Sequence, residues 1–347
     1  MTVGMSRGVL AALGAALLFG AGTPFAKLLL ARTDPWLLAA LLYLGSGTGL
    51  WLLRRLRRSD AVRPSRSEWG WLAGATLSGG VAGPVLLMFG LTTMPATGAS
   101  LLLNAEGVFT ALLAWFVFKE NFDRRIALGM AAIVAGAVVL SWPGEASLQL
   151  GAGALAVLGA CLAWAIDNNL TRKVSLTDAS FIAMVKGLAA GSTNLLIAWL
   201  LGSSWPAPST LGAAAVLGFL SYGASLVLFV VALRHLGTAR TGAYFSVAPF
   251  FGALLSVLML KEPVTSQLLM AGALMALGVW LHLTERHGHL HVHTPDQHTH
   301  EHVHDLHHQH THPEGAAAAA QHTHAHSHEA MTHDHPHHPD AHHRHPH

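Results

Sequence analysis

Three ionisable side chains interrupt long apolar runs of the sequence: Glu106, Asp167 and Lys186. A charge at the middle of a lipid-embedded helix costs roughly 2.5–3.5 kcal/mol on insertion scales, so it persists where it meets a partner, a wet cavity or a solute. A carboxyl group so placed can exchange a proton or hold a cation, and an ammonium can hold an anion. Asp167 lies in the stretch Leu162–Lys173, LAWAIDNNLTRK, about a turn and a half before Arg172. Lys186 stands a similar distance inside the next apolar run. Equal depth makes a buried ion pair feasible, each charge lowering the cost of the other. As a structural pair the two only lock neighbouring helices. As a functional pair, a solute or a proton competes for Asp167.

Glu106 lies about nine residues into its own run, close to its middle. It is either a hydrogen-bonded packing group or a proton- or solute-binding carboxyl. Asn104 is two residues away, about 200° around a helix, so one of the two faces a cavity while the other packs. Asn168, Asn169 and Asn194 supply further donors and acceptors, although interhelical amide bonds are also ordinary packing devices in membranes. The expected path is therefore Glu106, Asp167, Asn168 and Lys186, with Asn104, Asn194 and Trp164. Tyr222 and Tyr244 suit a cavity wall or a packed core equally.

The elements that position these groups are long and apolar. Of 347 residues, 52% are hydrophobic and 11% charged, where a soluble domain has about a quarter charged. Apolar segments of near-spanning length, about twenty residues, fall at 8–30, 35–53, 69–91, 97–118, 126–142, 150–170, 179–201, 210–233, 238–260 and 266–283. Ten membrane helices are expected. So many unbroken apolar spans argue against a large soluble bundle. Gly20, Pro24, Pro84 and Pro249 inside them are tolerated because neighbouring helices re-satisfy the freed backbone. Arg7, an apolar run and small residues at Ala21–Thr23 outline a secretory signal, but the run continues past Pro24 to Leu30, so a retained helix is expected.

Basic residues alternate between loops. Arg54, Arg55, Arg57, Arg58, Arg63 and Arg66 follow the second span. Lys119, Arg124 and Arg125, then Arg172 and Lys173, then Arg234 and Arg240, follow every second span after it. The positive-inside rule puts both termini in the cytoplasm of a cell whose plasma membrane the chain spans. Lys27, near the outer end of the first span, is expected to snorkel. Lys119 and Lys261, each followed by Glu, mark helix ends. Gly187 and Gly191 form a small-xxx-small pair for close helix approach.

The sequence also repeats itself. Leu112–Glu120, LLAWFVFKE, is echoed by Leu254–Glu262, LLSVLMLKE. Phe19–Lys27 aligns with Trp164–Arg172, and Thr33-Asp34 with Thr177-Asp178. Five helices per copy is an odd number, so the second copy enters the membrane from the opposite side. Such inverted halves recur in secondary transporters, with the solute site between them. With Trp164, Pro249 and the two Lys-Glu ends, residues 8–284 resemble EamA-type members of the drug/metabolite transporter superfamily. The resemblance implies an exporter-like, ten-helix carrier of small solutes such as amino acids, other metabolites or drugs. Two departures stand out: the basic Lys186 of the second copy is matched by Leu42 in the first, and Pro249 by Gly107.

After Arg286 the composition changes. Nearly all of the 26 histidines lie in 287–347, mixed with acids, prolines and the alanine run Ala316–Ala320. Too few apolar residues are present for a core, so this tail is expected to be disordered. The domain boundaries are thus 1–145 and 146–286 for the two five-helix copies and 287–347 for the tail. His287, His289, His291, His293, His298, His300, His302 and His304 are candidate ligands for Zn, Ni or Co, since imidazole suits such metals.

The favoured function is export of a small organic metabolite or drug by alternating access, with protons as the coupling ion. The alternative is a divalent-metal exporter fed by the tail, but the spans carry no paired His, only His235 and His282 singly at edges. A tethered metal buffer would not need ten helices. Neither a zincin helix nor a nucleophile elbow occurs, so no enzyme is expected, and no cofactor is required. Sparse aromatics, 7%, give no stacking platform for nucleic acid. The lone Cys161 excludes an internal disulfide. Expected partners are the lipid bilayer, the solute and protons, with metal ions at the tail; the sequence leaves a homodimer open.

Overall fold

The computed structural model describes residues 7–59, 62, 64–118, 124–141, 151–174, 178–232, 244–283, 288–293, 296–302, 322–328 and 331–336. Residues 7–283 form a helical body. The first two helices are α1 (Arg7–Leu30) and α2 (Pro35–Leu56). Next come α3 (Arg66–Ala75), a π-helical turn at Thr76–Ala82 and α4 (Gly83–Thr93). They are followed by α5 (Ala96–Leu102), α6 (Ala105–Phe118), α7 (Arg124–Ser141), α8 (Ala152–Thr171) and α9 (Ala179–Leu200). The last are α10 (Pro208–Gly218), a second π turn at Phe219–Ala224, α11 (225–232), α12 (Ala248–Leu260) and α13 (Ser266–Leu283).

Local chemistry sets several of the ends. Asp34 caps α2, its Oδ1 accepting the Leu37 N–H at 3.0 Å with Pro35 in the first turn. Ser65 and Glu68 form a reciprocal capping box on α3. Gly202, at φ 76°, closes α9 in the left-handed conformation that glycine adopts freely.

Among the described residues seven helices are long and apolar enough to cross a bilayer: Arg7–Leu30, Pro35–Leu56, Arg66–Thr93, Ala96–Leu113, Ala152–Thr171, Ala179–Leu200 and Pro208–Ala232. Shorter apolar helices, Ala127–Leu140, Ala248–Leu260 and Ser266–Leu281, fall where the fifth, ninth and tenth spans are expected. Large apolar side chains such as Leu52, Trp199, Leu254 and Leu269 are exposed on the body, as lipid-facing residues would be. Leu38, Leu42, Met88, Leu91, Leu102 and Val157 are buried in its interior.

Helix packing has a paired character. Helix α2 lies on α9, and α7 on α13. Helix α8 packs on α4 and α6, while α1 packs on α12 and on the second π turn. The approaches correspond residue by residue. A Cβ added at Gly136 would lie 2.9 Å from the Ala271 oxygen, and one at Gly278 would lie 2.5 Å from the Gly129 oxygen. Gly136 and Gly278, like Gly129 and Ala271, keep the spacing that separates the two Lys-Glu segments.

Two expectations of continuous helix are corrected. The third and eighth spans each contain a π turn, in Gly-rich TLSGGVA and in FLSYGA. The fourth breaks at Leu103–Asn104 between α5 and α6, and a turn at Ser246–Val247 likewise precedes α12.

The second unit is Arg286–Pro339. Within it β1 (Gly288–His293) pairs antiparallel with β4 (Met331–Pro336), and β2 (Asp296–His302) with β3 (His322–His328). An isolated two-stranded ribbon is at best marginally stable in water, and the sequence supplies almost no apolar residues to back it.

Candidate functional site

The backbone of the first π turn organises the site. A proline has no N–H, so Pro84 cannot bond the carbonyls of Gly79 and Gly80 that precede it by one turn. Gly83 N–H bonds to Ser78 O instead, in the wide π pattern. The freed oxygens are taken by side chains from other helices. Gly79 O accepts from Trp164 Nε1 at 2.8 Å and from the Tyr43 hydroxyl at 2.9 Å. Gly80 O accepts from Asn194 Nδ2 at 3.2 Å. Three helices, α2, α8 and α9, thus fasten one irregular turn.

Asp167 sits directly behind Gly79. A Cβ on that glycine would lie 2.4 Å from Asp167 Cβ and Cγ, so only glycine leaves space for the carboxylate. Lys186 Nζ donates to both Asp167 oxygens, at 2.5 and 2.6 Å. Thr171, one turn along α8 and on the same face, donates its hydroxyl to Oδ1 at 2.8 Å. The pair expected from equal depth therefore forms. Asp167 is only 7% exposed.

Glu106 opens α6 just after the break in its span. Its Oε1 accepts from Asn168 Nδ2 at 2.8 Å, and Asn168 also reaches Thr110 Oγ1 at 3.4 Å. Glu106 is surrounded by the helices and close enough to Asp167 and Lys186 to feel their charges. It nevertheless keeps accessible surface, and Asn168 beside it is exposed. Neither therefore belongs to the packed interior. Tyr43 packs against Tyr222, ring centroids 5.4 Å apart, and Tyr222 meets Phe19 at 5.9 Å.

Four expected residues, Glu106, Asp167, Asn168 and Lys186, come together, with Trp164 beside them. Asn194 acts as a peg on Gly80 O and is fully buried. Asn104 does not join them: it is buried at the break, donating to Leu101 O at 3.0 Å and approaching Met275 Sδ at 3.9 Å. Sequence reasoning missed Tyr43, Thr171 and Thr110. Thr171 was findable, one turn from Asp167; Tyr43 depends on a carbonyl exposed only by the π turn. His287 and His304 lie outside the described residues, and the other six candidate histidines are in β1 and β2. Among the described residues no three His, Cys, Asp or Glu side chains assemble as a metal site.

The two ends of the body are tied differently. At the end bearing the arginine-rich loop, Arg54 meets Asp178 at 2.6 Å. Burial works to raise the Asp178 carboxyl, but bonds from Ser180, the Phe181 N–H and Arg54 hold it below its ordinary value. At the opposite end Lys27 does not snorkel; its ammonium donates to Leu91 O and, at 3.0 Å, to Met94 O, closing the end of α4. Glu262 accepts the Ala96 and Thr97 N–H groups at 2.8 Å each, together with the Thr97 hydroxyl, and so caps α5. The Glu of this Lys-Glu end is thus a capping group for a helix of the other copy. Lys119 and Glu120 lie outside the described residues.

Known proteins resemble this chain. The chain is 29% identical over 292 residues to an uncharacterized transporter of Methanothermobacter thermautotrophicus, covering 79% of this chain and 85% of that protein. It is 38% identical over 85 residues to a probable amino-acid metabolite efflux pump of Salmonella typhimurium, covering 23% of this chain and 27% of the pump. A solved crystal structure superposes with a TM-score of 0.62 at 20% identity, over 80% of this chain and 96% of its own, which shows a common fold. The EamA-like transporter family matches residues 6–142 and again residues 151–284. The helical body is that family's unit used twice in succession, and the chain belongs to the EamA-like transporters.

Proposed function

We propose that this membrane transporter exports a small organic solute by alternating access, with Glu106 as the group that exchanges protons. The observation that carries the proposal is the Glu106–Asn168 contact: a carboxyl of the first copy faces an amide of the second, and both keep accessible surface in an otherwise apolar body. The Asp167–Lys186 pair, at the residue next to Asn168, supplies a second polar anchor that a zwitterionic or cationic solute can open. Carboxylates, amides and aromatic rings suit an organic solute, and the similarity to an amino-acid metabolite efflux pump supports the same class. The paired glycine contacts and the matching π turns support two copies related by a pseudo-two-fold axis, as inverted five-helix halves would be. Alternating access then follows from rocking one copy against the other. Both termini are assigned to the cytoplasm on the loop charges.

The test is solute flux in proteoliposomes under an imposed pH gradient, across a panel of amino acids and related amines. Glu106→Gln keeps the shape and the hydrogen bond to Asn168 but holds no exchangeable carboxyl proton. It should abolish gradient-driven flux while counterflow of the same solute persists. Gradient-driven flux equal to that of the parent protein would remove Glu106 from the coupling role.

A further inference from the structure

We propose that one end of the helical body is a docking surface for anionic phospholipid headgroups, with Arg55, Arg57, Arg58 and Arg66 as the phosphate-binding cations. That end is formed by the close of α2, the start of α3 and the start of α9. Arg54 pairs with Asp178 at 2.6 Å, and its guanidinium lies 5.7 Å from the Phe181 ring, which in turn meets Trp69 at 6.4 Å. Around this fixed centre Arg55, Arg57, Arg58 and Arg66 are exposed. Among the described residues none of the four pairs with a carboxylate. Asp178 is taken by Arg54, and Glu68 turns back to accept the Ser65 N–H at 2.6 Å. A cationic surface therefore faces outward.

Three observations select a lipid headgroup over a soluble anion. The charges stand beside large exposed apolar side chains, Trp51, Leu52, Leu56, Trp69 and Trp71. Arg55, one turn after Trp51, sets its guanidinium 5.3 Å from that ring. Tryptophans anchor chains where they leave the hydrocarbon, and basic clusters at that level attract anionic lipid. Second, every basic residue between 54 and 66 is arginine, whose planar fork matches a phosphate with two parallel bonds. The third observation is Arg58 itself. Helix α2 ends with the Ser59 N–H bonded to Arg54 O at 3.1 Å and the Arg58 N–H to Arg55 O at 3.3 Å, the pattern that glycine usually completes. Here Arg58, at φ 50°, takes that left-handed position, which disfavours any side chain. Arg54 and Arg55 already place cations at this pole of the helix. A further guanidinium kept in a disfavoured backbone conformation answers a need other than folding. The surface shares no residue with the solute path and does not depend on what is transported.

The test uses the full-length protein in neutral detergent micelles, with native mass spectrometry counting bound lipid during titration. The probes are phosphatidylglycerol and phosphatidylcholine of the same acyl chains. The parent should hold phosphatidylglycerol at least about tenfold more tightly than phosphatidylcholine. R55Q/R57Q/R58Q should lose most of that preference, while R7Q/R32Q/K173Q, which removes three exposed cations elsewhere, should keep it. Equal losses would overturn the proposal, since the attraction would then follow net charge alone. Glycerophosphoglycerol carries the same phosphate without acyl chains and should not displace the lipid. Displacement at matched concentration would overturn the lipid assignment in favour of a soluble phosphate ester. R58G separates docking from folding. It should raise the thermal midpoint in neutral micelles by about 1–2 °C. It should also weaken phosphatidylglycerol binding about fivefold, the contribution of one arginine near an anionic surface. A lower midpoint, or lipid affinity equal to the parent's, would refute the role given to Arg58.

Discussion

Replacing Lys186 by Met removes the ammonium held 2.5 and 2.6 Å from the two oxygens of Asp167. Only the Thr171 hydroxyl would remain to that carboxylate, in a site 7% exposed. Removing one partner of a buried pair costs about 3–5 kcal/mol. Lys186→Met should therefore destabilise the protein by about that amount. The double variant Asp167→Asn with Lys186→Met should recover most of the loss at pH 7, since no unpaired charge is left. Equilibrium unfolding in mixed micelles, run as a double-mutant cycle, measures both. A loss below about 1 kcal/mol, the range of an exposed pair, would refute the burial reasoning.

Gly79→Ala should destabilise by about 1–3 kcal/mol, the range for overpacking, because its Cβ would meet Asp167 Cβ and Cγ at 2.4 Å; thermal unfolding in detergent reports it. Glu262→Ala should cost about 0.5–2 kcal/mol through loss of the cap on α5, with the Ala96 and Thr97 amides exchanging hydrogen faster than in the parent. Asp178 is held below its ordinary value despite partial burial, so its contribution is complete above the unfolded value near 3.9 and disappears as pH falls through the lower folded value. Asp178→Asn should remove that part of the acid dependence, which unfolding curves between pH 5 and pH 2.5 would show.

The site was legible where a charge stood out against apolar sequence. Asp167 and Lys186 are conspicuous in their runs, and depth alone predicts their meeting. Glu106 and Asn168 could be named but not joined, because their contact depends on how α6 and α8 cross. Asn104 was included in the path although a helix sets it about 200° from Glu106, and of the two it is the one that packs. Tyr43 was invisible for another reason: its partner is a backbone oxygen, and no side-chain pattern announces which carbonyl a proline will orphan. Lys27 likewise looked like an interfacial cation because its acceptors are also backbone oxygens. In the tail, composition foretold the lack of a core.

The two π turns, at Thr76–Ala82 and Phe219–Ala224, occupy corresponding places in the duplicated body. Each winds one more residue into its loop of backbone than the ordinary helix does. Taking up that slack would turn everything beyond it by about 100° and advance it by about 1.5 Å. Tyr43, Trp164 and Asn194 grip the first of these turns, and so long as they hold, that slack stays wound in.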